Sequence, residues 1–441
     1  MRAEYTVLRK KVIYLRSTVK IMLKNVILQQ REERDLLLSK KYQKRRVPDV
    51  SDDYLASGLI KLITGPRRAG KSVFALQLLE NKNFAYLNFD DGLLLKNFDE
   101  NLLWQCLLET YPDFEYLLLD EIQNLPGWDI WVGKLYRRGV NLVITGSNAN
   151  LLSNEMATVL TGRYLQIKIL PFSFQEMLDY RCAAAAFDTP AEKAEMLLQM
   201  TDFMTNGGYP EIINTRGITR AYLGALFDSV LLKDAAKRYN IRNINELYNL
   251  ANYLVANFCN SFSINQLAGE LNLGSAHTTK KFTKYLAESY LFHYLYRYNS
   301  KLKLMQKAPQ KVYLTDTGFV AARAFELSKN YGRLLENMVF TELIRRDFST
   351  AQSLFYYRTR NDREIDFVCR KGNRVDELIQ AAYEISAEKT LKRELTALVE
   401  AAEELKCERL LLITWDTEKV FEEKGRTINA VPVWKWLTVN L

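Results

Sequence analysis

The stretch "LIKLITGPRRAGKSVFALQLL", residues 59 to 79, constrains this chain more than any other. Gly65-Pro66-Arg67-Arg68-Ala69-Gly70-Lys71-Ser72 fits G-x-x-x-x-G-K-[ST], with an apolar run before it and apolar positions at helical spacing after it. Gly65 and Gly70 let the backbone turn so that several N–H groups converge, and the helix N-terminus behind them completes an anion cradle. Lys71 brings a point charge for β- and γ-phosphates, and Ser72 a hydroxyl for Mg²⁺. Such a loop needs a strand before it and a helix after it. The residues around it are therefore predicted to form a parallel α/β sheet.

The following sequence agrees. Apolar runs at 59–64, 84–89, 115–123, 140–147 and 163–170 read as strands, with helical patterns at 70–80 and 98–110. The runs are continuous rather than alternating, as expected of strands buried on both faces. Strand alternating with helix points to a parallel sheet. The third strand ends in "YLLLDEIQ". Asp120 there can hold Mg²⁺ through water, and Glu121 can orient and polarise an attacking water. Alone, two acids after a strand are a solvated turn; behind a phosphate loop they complete a hydrolytic pair. The glutamate directly after the aspartate favours hydrolysis over transfer to a small substrate, leaving a small-molecule kinase as a distant alternative. Nothing resembles the guanine-reading Asn-Lys-x-Asp, so ATP is preferred to GTP.

Other residues near the loop admit two readings each. Thr145, Ser147 and Asn148, after the fourth strand, can sense the γ-phosphate, or Ser147 and Asn148 can cap a helix. Arg163 can stabilise transition-state charge, in its own chain or towards a neighbouring subunit of a homo-oligomer, or it is a surface arginine. Arg67 and Arg68 can add charge to the bound phosphates or project to solvent.

Charge is unevenly placed. Residues 1–50 hold 14 Lys/Arg against 5 Asp/Glu, and the remainder holds 47 of each, so the net +9 belongs to the N-terminal arm. Residues 1–21 are either sequence upstream of a true start at Met22 or a basic arm for nucleic acid or membrane. Residues 26–46 read as a helix ending in the basic "KKYQKRR". No apolar run approaches the roughly 18 residues of a membrane span. Cys106, Cys182, Cys259, Cys369 and Cys407 lie far apart, and with only His277 and His293 besides, a zinc site is not expected. Scattered thiols suit a reducing cytoplasm.

The motifs "GPRRAGKS", "NFDD" (88–91), "LLLDEIQN", "ITGSN", "LTGR", "LPFSFQEML", "GGYPE" (207–211), "VYLTDTG" (312–318), "LLENMVFTEL" (334–343) and "REIDFV" (363–368) run over nearly the whole chain. As a set they resemble the bacterial and archaeal AAA-superfamily ATP-binding proteins with a C-terminal domain of unknown function. The resemblance implies an AAA-type ATPase core, a winged-helix module and a restriction-endonuclease-like α/β domain. It carries Gly65, Lys71, Ser72, Asp120 and Glu121 over as nucleotide-site residues. The expected divisions are a basic arm or helix at 1–50, the ATPase core at 51–180, a helical region at 181–262, the winged helix at 263–325 and the nuclease-like domain at 326–441.

Residues 262–292 read as a helix-turn-helix. Leu267, Ala268 and Leu271 form one face, Leu273-Gly274 the turn, and Ser275 the cap of a second helix with Phe282, Tyr285 and Leu286 inward. Thr278, Thr279, Lys280, Lys281 and Lys284 are left outward, in a segment (261–311) with 8 Lys/Arg against 2 acids. Such a helix suits phosphates and bases in a major groove, or packs on an ATPase and touches no DNA. Farther on, Glu336 lies on a helix, Glu364 and Asp366 on one face of a strand, and Glu377 and Gln380 on the next strand. Clustered acids of this kind hold Mg²⁺ for phosphodiester cleavage. In the endonuclease-like pattern, however, Leu378 stands where a second carboxylate belongs and Gln380 where a lysine belongs, and Glu377 should face the other way. A fold kept without its chemistry is the preferred reading. Three functions follow: an Mg²⁺-dependent ATPase acting on a DNA or protein partner, a DNA-binding regulator with ATP as a switch, and an ATP-dependent nuclease.

Overall fold

A computed structural model describes residues 2–47, 52–147, 160, 162–182, 189–323 and 330–438. They form two compact units, Met1–Ile169 and Leu170–Leu441. Asn148 lies outside the described residues.

The first unit is built on five parallel strands: β1 (Ile60–Thr64), β2 (Phe84–Asn88), β3 (Tyr116–Asp120), β4 (Asn141–Gly146) and β5 (Tyr164–Lys168), in the order β2-β3-β4-β1-β5. All four pairings are parallel. Successive residues serve opposite faces, as the pleat requires. Leu117 and Leu119 join one core with Leu62, Leu87 and Ile144, while Leu118 joins another with Ile63, Phe74 and Val143. The second core is closed by the helix Lys71–Leu78, which follows the phosphate loop.

The N-terminal helix is longer than the sequence pattern indicates. It runs over Arg2–Leu38 and stops before the "KKYQKRR" segment, which has no regular structure up to residue 47. Leu23, Val26 and Ile27 bury its inner face in the core that also holds Leu103 and Leu107. Gln30 then docks it on the sheet, donating to Asn88 O (3.0 Å) and accepting from Asn88 N–H (3.0 Å). Lys20 and Lys24, part of the expected basic arm, both pair with Glu109 (2.6 and 2.9 Å).

The second unit begins with helices, each started by a local signal. Ser173 and Glu176 form a capping box for Phe174–Arg181, and Thr189 and Glu192 another for Pro190–Asn206. Thr219–Ser229 runs on into a π-helical Val230–Lys237. The helix-turn-helix is present as Ile264–Glu270 and Ala276–Glu288. Ser275 accepts from Thr278 N–H (3.1 Å), the expected cap. Around these helices β6 (Ser261–Phe262), β7 (Phe292–Tyr296) and β8 (Gln310–Leu314) form an antiparallel sheet in the order β6-β8-β7.

After the helix Tyr331–Arg345 come β9 (Leu354–Arg358), β10 (Glu364–Lys371), β11 (Arg374–Ala382), the helix Glu388–Leu405, β12 (Arg409–Thr414), β13 (Lys419–Glu423) and β14 (Arg426–Pro432). Their sheet runs β13-β14-β12-β11-β10-β9. The β13–β14 hairpin carries little sequence signal, because β13 is an exposed, charged edge strand. Its turn residues Lys424 and Gly425 both have positive φ, the signature of a two-residue hairpin turn. One apolar cluster collects residues from the helices after Leu170, the helix-turn-helix, β8 and β10 alike.

Candidate nucleotide site

The carboxyl ends of three neighbouring strands meet along one line of the sheet, where β1 pairs Ile63 with Thr145 and β3 pairs Leu119 with Ile144. The phosphate loop leaves β1 there. At Gly65 φ is +149°, and an added Cβ would lie 1.9 Å from Ile169 O, so only glycine fits. Gly70, at φ +91°, turns the chain into the helix that begins at Lys71.

Lys71 is buried, donating to Pro66 O (3.0 Å) and facing Glu121 Oε1 at 3.6 Å. Ser72 Oγ donates to Asp120 Oδ1 (2.9 Å), which brings together the two groups assigned to Mg²⁺. Thr145 Oγ1 donates to the same carboxylate oxygen, and Tyr86 OH to the other (3.2 Å). Burial pushes the Asp120 carboxyl up to about 6, helped by the neighbouring Glu121 charge and opposed by the Thr145 and Ser72 hydroxyls and by Lys71. Glu121 is also buried, but Lys71, Gln123 and Arg67 outweigh desolvation and hold its carboxyl below the ordinary value. Glu121 therefore stays ionised beside an Asp120 that gains a proton as pH falls through about 6. A positive φ of 50° at Glu121 turns the chain out of β3.

Three participants were not legible in the sequence. Gln123 Nε2 donates to Glu121 Oε2 and to Ser147 Oγ (3.4 Å), so amide, hydroxyl and glutamate form one polar group. Tyr86 comes from β2, and its only sequence signal is a tyrosine in an apolar strand. Arg45, from the basic segment after the N-terminal helix, donates to Ala69 O of the phosphate loop (2.8 Å). That segment and the helix Lys71–Leu78 line a cavity of about 620 Å³ that includes Tyr42, Val47, Phe74 and Gln77.

Thr145 accepts from Glu121 N–H (3.0 Å) while it donates to Asp120, so in this structure it bridges the acid pair. One expectation is corrected here. Arg163 precedes β5 at the amino end of the sheet, where its carbonyl accepts from Ile60 N–H and its guanidinium lies over the Tyr136 ring (5.7 Å). The five residues of β1, at about 3.3 Å each, separate it from the loop, so it does not serve its own chain's nucleotide.

In the second unit Lys280, Lys281 and Lys284 are exposed on one face of Ala276–Glu288. Thr279, expected outward, is buried and donates to Ser275 O (3.0 Å). The C-terminal acids assemble as the spacing suggested, around a residue the sequence did not single out. Lys311 Nζ contacts Glu336 Oε1 (2.7 Å), Glu364 Oε1 (2.8 Å) and Asp366 Oδ1 (3.1 Å). Gln380 accepts from Asp366 N–H (3.2 Å), whereas Glu377 turns to Arg409 (3.0 Å). The motifs "GGYPE" and "VYLTDTG" also meet, because Asp316 accepts from Gly208 N–H (2.8 Å) and Gly318 N–H (2.9 Å).

Family models match most of the chain. An AAA-domain family model matches residues 57–178, and two domains of unknown function, DUF8612 and DUF4143, match 198–330 and 331–436. Among solved structures, a Walker-type ATPase of Pyrococcus abyssi gives a TM-score of 0.42 at 12% identity, covering 65% of this chain and 99% of that one. Cdc6p from Pyrobaculum aerophilum gives 0.27 at 15%, covering 71% and 99%. An uncharacterised protein of Haemophilus influenzae is 33% identical over 343 residues, 74% of this chain and 83% of that one. Another, of Methanocaldococcus jannaschii, is 36% identical over 396 residues, 86% and 88% of the two chains. On identity of this extent the chain belongs to the AAA-superfamily proteins of bacteria and archaea that carry C-terminal domains of unknown function.

Proposed function

We propose that the chain is a cytoplasmic, Mg²⁺-dependent ATPase that couples binding and hydrolysis to a DNA or protein partner. The observation that carries this reading is the joint placement of Lys71, Ser72, Asp120 and Glu121 behind a glycine cradle. The residues present fit the metal: Asp120 and Ser72 already share a hydrogen bond and would both turn to the ion. Mg²⁺, when bound with ATP, neutralises charge on the β- and γ-phosphates. Lys71 exchanges its Pro66 and Glu121 contacts for phosphate oxygens. Glu121, kept ionised, orients a water and accepts its proton. The cavity beside the loop, edged by Tyr42, Phe74 and Gln77, is where we seat the base.

The test is a pair of variants read by nucleotide titration and phosphate release. Lys71→Ala is expected to lose ATP binding. Glu121→Gln is expected to keep it while turnover falls roughly 10²–10⁴-fold, the range of a general base. Normal turnover in purified Glu121→Gln would refute the assigned role.

A second reading rests on the exposed lysine face of Ala276–Glu288 and the β6-β8-β7 sheet flanking it, an arrangement suited to a winged helix. In this reading the second unit contacts duplex phosphates, and ATP sets the occupancy.

A further inference from the structure

The buried cluster around Lys311 performs no step of the ATPase reading. Lys311 leaves the central strand β8 and is buried, with an ammonium that has three N–H donors. Two of them go to Glu336, on the helix Tyr331–Arg345 (2.7 Å), and to Asp366, on β10 (3.1 Å), while Glu364, also on β10, forms an ion pair at 2.8 Å. Each carboxylate is held by a further donor. Tyr313 OH donates to Glu336 (2.7 Å), Arg358 Nε to Glu364 (3.2 Å) and Ala381 N–H to Asp366 (3.0 Å). The ring of Tyr356 lies 5.9 Å from the ammonium.

This arrangement does not fit the Mg²⁺ of an endonuclease-like site. A divalent cation needs the centre of the trio, with oxygens at about 2.0–2.1 Å for Mg²⁺. That centre is filled by nitrogen at ammonium distances. The lysine is also unsuited to hold a substrate phosphate, because its ammonium is buried against three carboxylates that would repel one. Leu378, where the sequence pattern calls for a second carboxylate, is buried apolar core. Among the described residues no group of three or more His, Cys, Asp or Glu could hold a metal ion.

We propose that Lys311 is a built-in cation standing where a divalent metal would otherwise sit. The trio Glu336, Glu364 and Asp366 is then a metal-free ion cluster that ties the three-stranded sheet to the six-stranded one and cleaves nothing. A flexible ammonium has replaced a diffusible ion, so the junction is permanent and indifferent to metal supply. Removing the ammonium leaves carboxylates whose charge an external cation can balance.

The experiment uses the full chain without nucleotide and Mn²⁺ as the probe. By electron paramagnetic resonance, the wild-type protein and Asp366→Asn are expected to take up the same amount of Mn²⁺. Uptake of one further ion by the wild type, lost in Asp366→Asn, would overturn the proposal. Lys311→Met alone is expected to lower the thermal midpoint by roughly 10 °C, as for a broken buried ion pair. Lys311→Met/Glu336→Gln removes charge from both sides and keeps the fold accessible to measurement. It is expected to gain one Mn²⁺ site and a midpoint that rises by several degrees with millimolar Mn²⁺, both lost on adding Glu364→Gln. A double variant that neither binds Mn²⁺ nor responds to it would overturn the equivalence of ammonium and metal.

Discussion

Asp120 and Glu121 are adjacent acids with opposite proton affinities. The difference comes from what each one faces: Lys71 and Gln123 for Glu121, burial and the neighbouring charge for Asp120. The Asp120 carboxyl sits at about 6 in the fold against an ordinary 3.8, so the folded state holds this proton more tightly. Its contribution to stability is therefore full below 3.8 and is lost as pH rises through about 6. In the proposed function metal binding runs the other way, since Mg²⁺ would need the carboxylate. The Mg²⁺-dependent part of ATP affinity is expected to weaken as pH falls from 7.5 to 5.5, and to be absent in Asp120→Asn at every pH. Titration with and without EDTA measures it, and an unchanged Mg²⁺ increment across that range would refute the assignment. The juxtaposition of Lys71 and Ser72, which begin a helix, with Asp120 and Glu121, at the end of β3, was legible because the motifs fix both residue types and spacing. Gln123, Tyr86 and Arg45 were not. Each acts by reaching across the fold, and neither its type nor its spacing announces that.

Elements were legible where burial is two-sided. The five parallel strands appear as continuous apolar runs, and the observed ends differ from the expected ones by a residue or two, apart from β3, which stops at Asp120. The N-terminal helix was misjudged because its inner face is narrow, with Leu23, Val26 and Ile27 as its deeply buried apolar contacts. The segments that fix the second unit are held by polar groups on glycine backbone. At Gly207, with φ +78°, an added Cβ would meet Asp316 Oδ1 at 1.8 Å. Asp316 is itself buried and accepts from two backbone N–H groups that have no access to water. Asp316→Ala is expected to destabilise the second unit by about 2–4 kcal/mol, the cost of two unsatisfied buried donors. Urea unfolding followed by tryptophan fluorescence measures this. An unchanged midpoint would mean that the two glycine segments are held by packing alone.

At the scale of the molecule, a nucleotide unit and a second unit with an exposed lysine face make DNA the partner to try first. If Lys280, Lys281 and Lys284 meet phosphates, duplex affinity falls steeply with salt, and charge reversal of all three reduces the logarithmic slope by roughly 3. ATP turnover measured with duplex, single-stranded and no DNA then reports whether the partner drives the cycle. No retardation of any duplex at low salt would remove the DNA reading and leave a protein partner. No helix among the described residues is long and apolar enough to cross a membrane.

The position of Lys311 on β8, with its three carboxylates all beyond residue 330, has a consequence for inheritance and for fragment work. A piece ending near residue 330 keeps a cation built for the interior without its anions, and a piece starting there keeps the anions alone. Neither piece is expected to fold as an independent module, although family boundaries fall between them. The two are expected to travel together through gene fusion and loss, and a recombinant boundary drawn at residue 330 should give insoluble halves.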